Sequence, residues 1–111
     1  MKFRFGDFQL DSRAYTLHRN TQPVSIEPLV FDLLVYLLEH RERVVTRDEL
    51  FEQLWAGKVV SDAALSARLK DAKKAVGDSG TRQSVIRTLH GRGYQQIKYQ
   101  WFDRNRLRVS M

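Results

Sequence analysis

The 111-residue chain contains no cysteine. Disulfides, thiolate metal sites and cysteine nucleophiles are therefore excluded, and the composition fits a reducing, cytoplasmic location. Histidine is sparse. His18, His40 and His90 are dispersed, without the paired spacing of a metal site or a catalytic triad. No Gly-rich phosphate loop stands at a strand–helix junction. Together these absences argue against an enzyme and leave no expected metal or cofactor. No apolar run approaches the ~20 residues of a membrane span, and the N-terminal Met-Lys-Phe-Arg-Phe-Gly-Asp is not a secretion signal. No membrane contact is expected from this segment. Low-complexity tracts, internal repeats and linkers are also lacking, so a single domain is expected.

What is present is a globular composition, with 42% hydrophobic and 29% charged residues. The formal net charge is +6, and its distribution is one-sided. Residues 1–60 hold eight Lys/Arg against nine Asp/Glu, whereas residues 61–111 hold eleven against four. A basic half points to a polyanionic partner, because cations near phosphates release condensed counterions.

Residues 1–26 alternate in period two: Phe3 and Phe5, then Phe8 and Leu10, then Tyr15 and Leu17 on one face, with turns at Gly6-Asp7 and Arg19–Gln22. That pattern predicts a small antiparallel meander acting as scaffold. Three helices are predicted over residues 27–78. The first starts at Glu27-Pro28 and carries a wide apolar stripe: Val30, Phe31, Leu33, Leu34, Leu37 and Leu38. The second opens with a capping box, Thr46-Arg47-Asp48-Glu49, in which the Glu49 carboxylate reaches back to the Thr46 N–H. Leu50, Phe51, Leu54 and Trp55 form its buried side, and Gly57 is its stop. The third begins at an N-cap, Ser61, and buries Leu65, Leu69, Ala72 and Val76. A hairpin over 84–99 with a basic tip, His90-Gly91-Arg92-Gly93, follows. Residues 100–111 read as a tail.

The third helix is the candidate reading element. Opposite its apolar stripe lie Ala63, Ala67, Lys70, Asp71 and Lys74, flanked by Ser66 and Lys73 on one side and Arg68 on the other. Small residues allow approach to a groove floor, and lysines can reach phosphates or guanine edges. A basic hairpin beside such a helix can enter a minor groove, where arginine is attracted.

The segment SVIRTLHGRGY, Ser84–Tyr94, resembles the wing signature of OmpR/PhoB-type effector domains of two-component response regulators and of their CadC-like and ToxR-like relatives. Leu50–Trp55 resembles that family's second helix. Val60-Ser61-Asp62 and Lys73–Asp78 resemble its third, and Phe8–Asp11 its N-terminal sheet. The resemblance covers about residues 3–98. It implies an α+β winged helix-turn-helix over 1–99, with an N-terminal antiparallel sheet, three helices and a C-terminal β-hairpin wing. The implied activity is sequence-specific binding of double-stranded DNA in transcription regulation. The candidate contacts are Ser61, Ala63, Ser66, Ala67, Arg68, Lys70, Asp71, Lys73 and Lys74 on the third helix, with Arg87, Thr88, His90 and Arg92 on the wing. The resemblance also implies a monomer that pairs in tandem on DNA, and contact of the loop residues Gly57, Lys58 and Val59 with RNA polymerase. The alternative is a winged-helix protein-interaction module that does not bind specific DNA. Two departures stand out: Ala72-Lys73 replaces the family's usual Leu-Arg, and Asp71 occupies a position that is often basic in response regulators. No phosphoacceptor domain lies in these residues, so sensing is expected downstream in a longer parent, from a partner, or not at all.

Overall fold

The computed structural model describes residues 2–56, 58, 60–77, 85–90, 97–101 and 108–110, with 87–90, 97–101 and 108–110 described by backbone alone. The N-terminal meander is present as β1 (Lys2–Phe5), β2 (Phe8–Asp11), β3 (Thr16–Arg19) and β4 (Gln22–Pro23). Alternation decides its faces: Phe3, Phe5, Phe8, Leu10 and Leu17 point inward, while Lys2 and Arg4 are exposed. Phe5 and Phe8 pair across β1 and β2 with rings stacked at 5.6 Å. The two-residue connection between them uses Gly6 at φ +54, which glycine adopts without a Cβ penalty.

Tyr15 departs from the expected pattern. It lies in the turn before β3 with φ 60 and is 48% exposed, whereas Leu17 is buried. Two backbone N–H groups, of Arg13 and Ala14, donate to Asp11 Oδ1 and close that turn. The Tyr15 ring lies 4.1 Å from that of Phe31, and its hydroxyl donates to Asp32 Oδ1 at 2.6 Å. Desolvation, and then the Asp32 hydrogen bond, push its pKa up to about 12.

The helices follow as α1 (Pro28–Glu39), α2 (Arg47–Trp55) and α3 (Asp62–Ala75). Proline at the first position of α1 costs no hydrogen bond. The six residues of its predicted stripe are all buried, so α1 is the central helix of the core. Truncating such a residue, for example Leu34→Ala, removes about 2–5 kcal/mol. Leu65, Leu69, Ala72 and Val76 of α3 and its C-cap pack onto the same core. Val76 ends α3, and Gly77 follows at φ +83, with the Phe8 ring 3.7 Å from where a Cβ would stand.

Helix α2 is less buried than predicted. Leu50 is fully enclosed, while Phe51, Leu54 and Trp55 are partly buried against the core, with Phe51 and Trp55 rings 5.8 Å apart. Its N-cap is as expected on one side only: Thr46 Oγ1 accepts from the Glu49 N–H at 3.2 Å. The Glu49 carboxylate is engaged elsewhere. Arg43 donates to both of its oxygens, Nη1 to Oε1 at 2.8 Å, and the Tyr36 hydroxyl donates to Oε2. A bidentate guanidinium outcompetes one backbone N–H for a carboxylate. Those Arg43 bonds, chiefly, hold the Glu49 pKa down to about 2. The left-handed residue that ends α2 is Ala56 (φ 52, ψ 38), directly before Gly57, which lies outside the described residues.

The C-terminal strands are β6 (Ile86–His90), β7 (Ile97–Trp101) and β8 (Arg108–Ser110). β6 and β7 form the expected antiparallel hairpin, displaced from the predicted 84–99 so that Gln100 and Trp101 belong to it and His90 is strand. A two-residue strand, β5 (Val45–Thr46), pairs with β7 and makes a three-stranded sheet, order β5-β7-β6. Part of the stretch read as a tail is also strand. β8 pairs antiparallel with β1, giving the first sheet the order β4-β3-β2-β1-β8. The free edge of β1 supplies the hydrogen-bonding groups that β8 pairs with. Among the described residues, no helix is long and apolar enough to cross a membrane.

Candidate nucleic-acid interface

The core packing of α3 decides what the helix presents outward. With Leu65, Leu69 and Ala72 fixed inward, Ala63, Ser66, Ala67, Lys70, Asp71 and Lys74 are all exposed, as the 3.6-residue period requires. The helix thus displays a surface of small residues carrying two cations and one carboxylate. Ser61 caps it, its Oγ accepting from the Ala64 N–H at 3.2 Å. Asp62 stands at the positive end of the helix dipole and Lys73 and Lys74 at the negative end.

Two ion pairs link this helix to its neighbours. Arg47 in the first turn of α2 reaches Asp62 in the first turn of α3, Nη1 to Oδ2 at 3.2 Å. Arg68 bridges α3 to the start of α1. Its Nη1 lies 2.7 Å from Glu27 Oε2, the N-cap residue of α1, and its Nη2 lies 3.3 Å from Asp71 Oδ2. Arg68 is among the DNA contacts expected from the family resemblance. Its guanidinium is half-buried and bonded to two carboxylates of the protein, Glu27 and Asp71. Lys73 is likewise half-buried. The Arg47 and Glu27 contacts were missed because their partners are 15 and 41 residues away. Only the i,i+3 spacing of Arg68 and Asp71 was visible in the chain.

Arg87, Thr88 and His90 occupy β6 opposite Gln100, Tyr99 and Ile97. Arg92 lies outside the described residues. In the loop between α2 and α3, Lys58 is exposed and its N–H donates to the Trp55 carbonyl at 2.9 Å, whereas Gly57 and Val59 lie outside the described residues. No group of three or more His, Cys, Asp or Glu able to hold a metal ion occurs among the described residues.

A groove of about 510 Å³ borders the exposed face of α3. It is lined by Asp71 and Lys74 of α3, Phe8 and Arg19 of the sheet, Glu27 at the N-cap of α1 and Val30 of α1. The Arg19 guanidinium lies over the Phe8 ring at 5.2 Å, a cation–π arrangement that holds it there.

Comparison with known proteins agrees with this architecture. The family described as "Transcriptional regulatory protein, C terminal" matches residues 21–96. The transcriptional activator CadC of Escherichia coli is 28% identical over 102 residues, covering 90% of this chain and 20% of that protein. The solved DNA-binding domain of E. coli CadC superposes with a TM-score of 0.76 at 24% identity, over 98% of this chain and 96% of that one. The DNA-binding response regulator MtrA of Mycobacterium tuberculosis is 33% identical over 91 residues, 81% of this chain and 40% of that protein. The Klebsiella pneumoniae RstA DNA-binding domain, solved in complex with the RstA box, superposes with a TM-score of 0.73 at 20% identity, over 91% of this chain and 96% of that one. The chain therefore spans two fifths or less of the length of the full-length relatives CadC and MtrA. With a matched segment that runs from β4 to the hairpin and takes in all three helices, the chain belongs to the family of transcriptional regulatory C-terminal domains, the OmpR/PhoB-type winged-helix DNA-binding domains.

Proposed function

We propose that this domain binds double-stranded DNA sequence-specifically in transcription regulation, with α3 in the major groove and the β6–β7 hairpin against the minor groove. The observation that carries the reading is the exposed face of α3, where Ala63, Ser66 and Ala67 leave room for a groove wall and Lys70 and Lys74 supply charge. Phosphate contacts then set register, and residues facing base edges set sequence. The basic excess of residues 61–111 supplies the long-range attraction. That the Klebsiella pneumoniae RstA DNA-binding domain was solved in complex with the RstA box supports DNA binding by this fold. A single reading helix covers few base pairs, which favours two copies in tandem on DNA from monomers in solution. The exposed Lys58, in the α2–α3 loop, is the candidate contact with RNA polymerase.

The test is selection of bound duplexes from a random library, followed by titration of the selected duplex at several salt concentrations. The log–log slope should be about −0.9 per phosphate neutralised, and steep. A slope near zero, with no sequence enriched, would instead identify a protein-interaction module.

A further inference from the structure

We infer that Asp71 is a specificity-determining residue of the reading helix, selecting a base pair that presents a cytosine amino group, and that Arg68 is its positioning residue. The inference rests on the DNA-binding reading above and names a chemical preference within it.

A carboxylate on a face meant for DNA needs a reason, since it repels every phosphate it approaches. Stability does not supply one. An i,i+3 pair between half-exposed side chains contributes little, and Arg68 already has Glu27 at a shorter distance, 2.7 Å against 3.3 Å. Arg68 thus faces two carboxylates with one positive charge, leaving a net negative group beside Lys70 and Lys74.

What Arg68 does supply is orientation. Its guanidinium is anchored on the N-cap residue of α1, a different element, and its second nitrogen holds Asp71 Oδ2. The Asp71 side chain is half-exposed while so held. An acceptor fixed in this way loses little rotamer freedom on binding, which is what sequence discrimination by one hydrogen bond needs.

The chemistry of the major groove then narrows the target. Guanine presents N7 and O6, both acceptors, and repels a carboxylate. Thymine presents an acceptor and a methyl group. Adenine has an amino donor, but its N7 acceptor lies beside it. Cytosine presents the N4 amino donor without an adjacent acceptor on its own edge, and is the base that a lone carboxylate accepts from.

The experiment repeats the duplex selection with the full 111-residue chain and three variants, each checked for folding by thermal melting. The unsubstituted protein should prefer cytosine about ten-fold at one position of each half-site. Asp71→Ala should abolish the preference there and leave the other positions intact. Asp71→Asn should move it toward adenine, because an amide can pair with both N6 and N7. Arg68→Gln should relax that same position while melting cooperatively. Retention of the full preference by Asp71→Ala, or a uniform gain in affinity on every duplex, would overturn the inference and leave the DNA-binding reading standing. Failure of the unsubstituted protein to enrich any sequence would overturn both.

Discussion

Arg47 and Asp62 face each other across the α2–α3 connection, Nη1 to Oδ2 at 3.2 Å, each in the first turn of its helix. The pair joins the starts of the two helices that make the helix-turn-helix. Asp62 is largely exposed, so solvent screens the attraction. A double-mutant cycle with Arg47→Ala and Asp62→Ala, followed by urea unfolding, should give a coupling of about 0.2–1 kcal/mol. A coupling of several kcal/mol would mean that the pair organises more of the fold than its exposure implies.

Ser61 serves the helix and is also a candidate DNA contact, and the two roles are separable. Its Oγ accepts from Ala64 N–H, as Thr46 Oγ1 does from Glu49 N–H. Either residue changed to alanine should destabilise the domain by about 1 kcal/mol. Ser61→Asp keeps a capping oxygen and adds negative charge. It should preserve the melting temperature and weaken duplex binding where the serine meets a phosphate. Unchanged affinity in Ser61→Asp would reduce Ser61 to a cap alone.

Stability should fall in acid through Glu49. Its pKa of about 2 in the folded protein lies below the ordinary 4.5, chiefly because Arg43 donates to the carboxylate. A depressed carboxyl contributes stability that is present above the unfolded pKa and disappears as pH drops through the folded one. Melting temperatures measured from pH 5 to pH 2 should therefore decline, and Glu49→Gln should flatten the decline. Asp11, also held below its usual range by the Ala14 N–H, adds to the same window and remains in the variant. An equally steep profile in Glu49→Gln would transfer the effect to other carboxyls.

Ala56 carries a left-handed backbone at the end of α2 (φ 52, ψ 38). A Cβ in that conformation costs roughly 1 kcal/mol, and glycine removes the penalty. Ala56→Gly should raise the unfolding free energy by up to about 1 kcal/mol, less the extra freedom that glycine has in the unfolded chain. Denaturant titration at a constant m-value checks this, and a loss of stability would contradict the assigned conformation.

Lys70 and Arg92 should fail in different ways. Lys70 is exposed on α3, and its change to alanine should alter sequence preference, by roughly 1–3 kcal/mol at one position if it reads a base. Arg92→Ala should weaken binding mainly on duplexes with a narrow A·T-rich minor groove beside the major-groove site. Competition binding against a panel of duplexes separates the two. Uniform losses from both would mean that neither residue reads sequence.

Local periodicity was enough to identify most of the architecture. Phe3, Phe5, Phe8, Leu10 and Leu17 alternate because a pleated strand has period two, and the stripe of α3 recurs because a helix has 3.6 residues per turn. Caps were legible for the same reason, as Ser61 and Thr46 bond to groups three residues away. Since the faces of α3 follow from its own spacing, the exposed set Ala63, Ser66, Ala67, Lys70, Asp71 and Lys74 could be named without a fold. Long-range pairing could not. β5 has two residues, too few to show a period, and exists because β7 comes beside it. β8 is a strand because β1 has a free edge to fill. Tyr15 matched a strand alternation, yet the turn closed by Asp11 and the contact with Phe31 placed it outside β3. Arg68 and Glu49 are the clearest cases. Each belongs to a local pattern, a reading face and a capping box, and each is taken over by a partner from another part of the fold: Glu27 for Arg68, Arg43 and Tyr36 for Glu49. A charged side chain takes the strongest partner within reach, and only the packing of α1 against α2 and α3 decides what lies within reach.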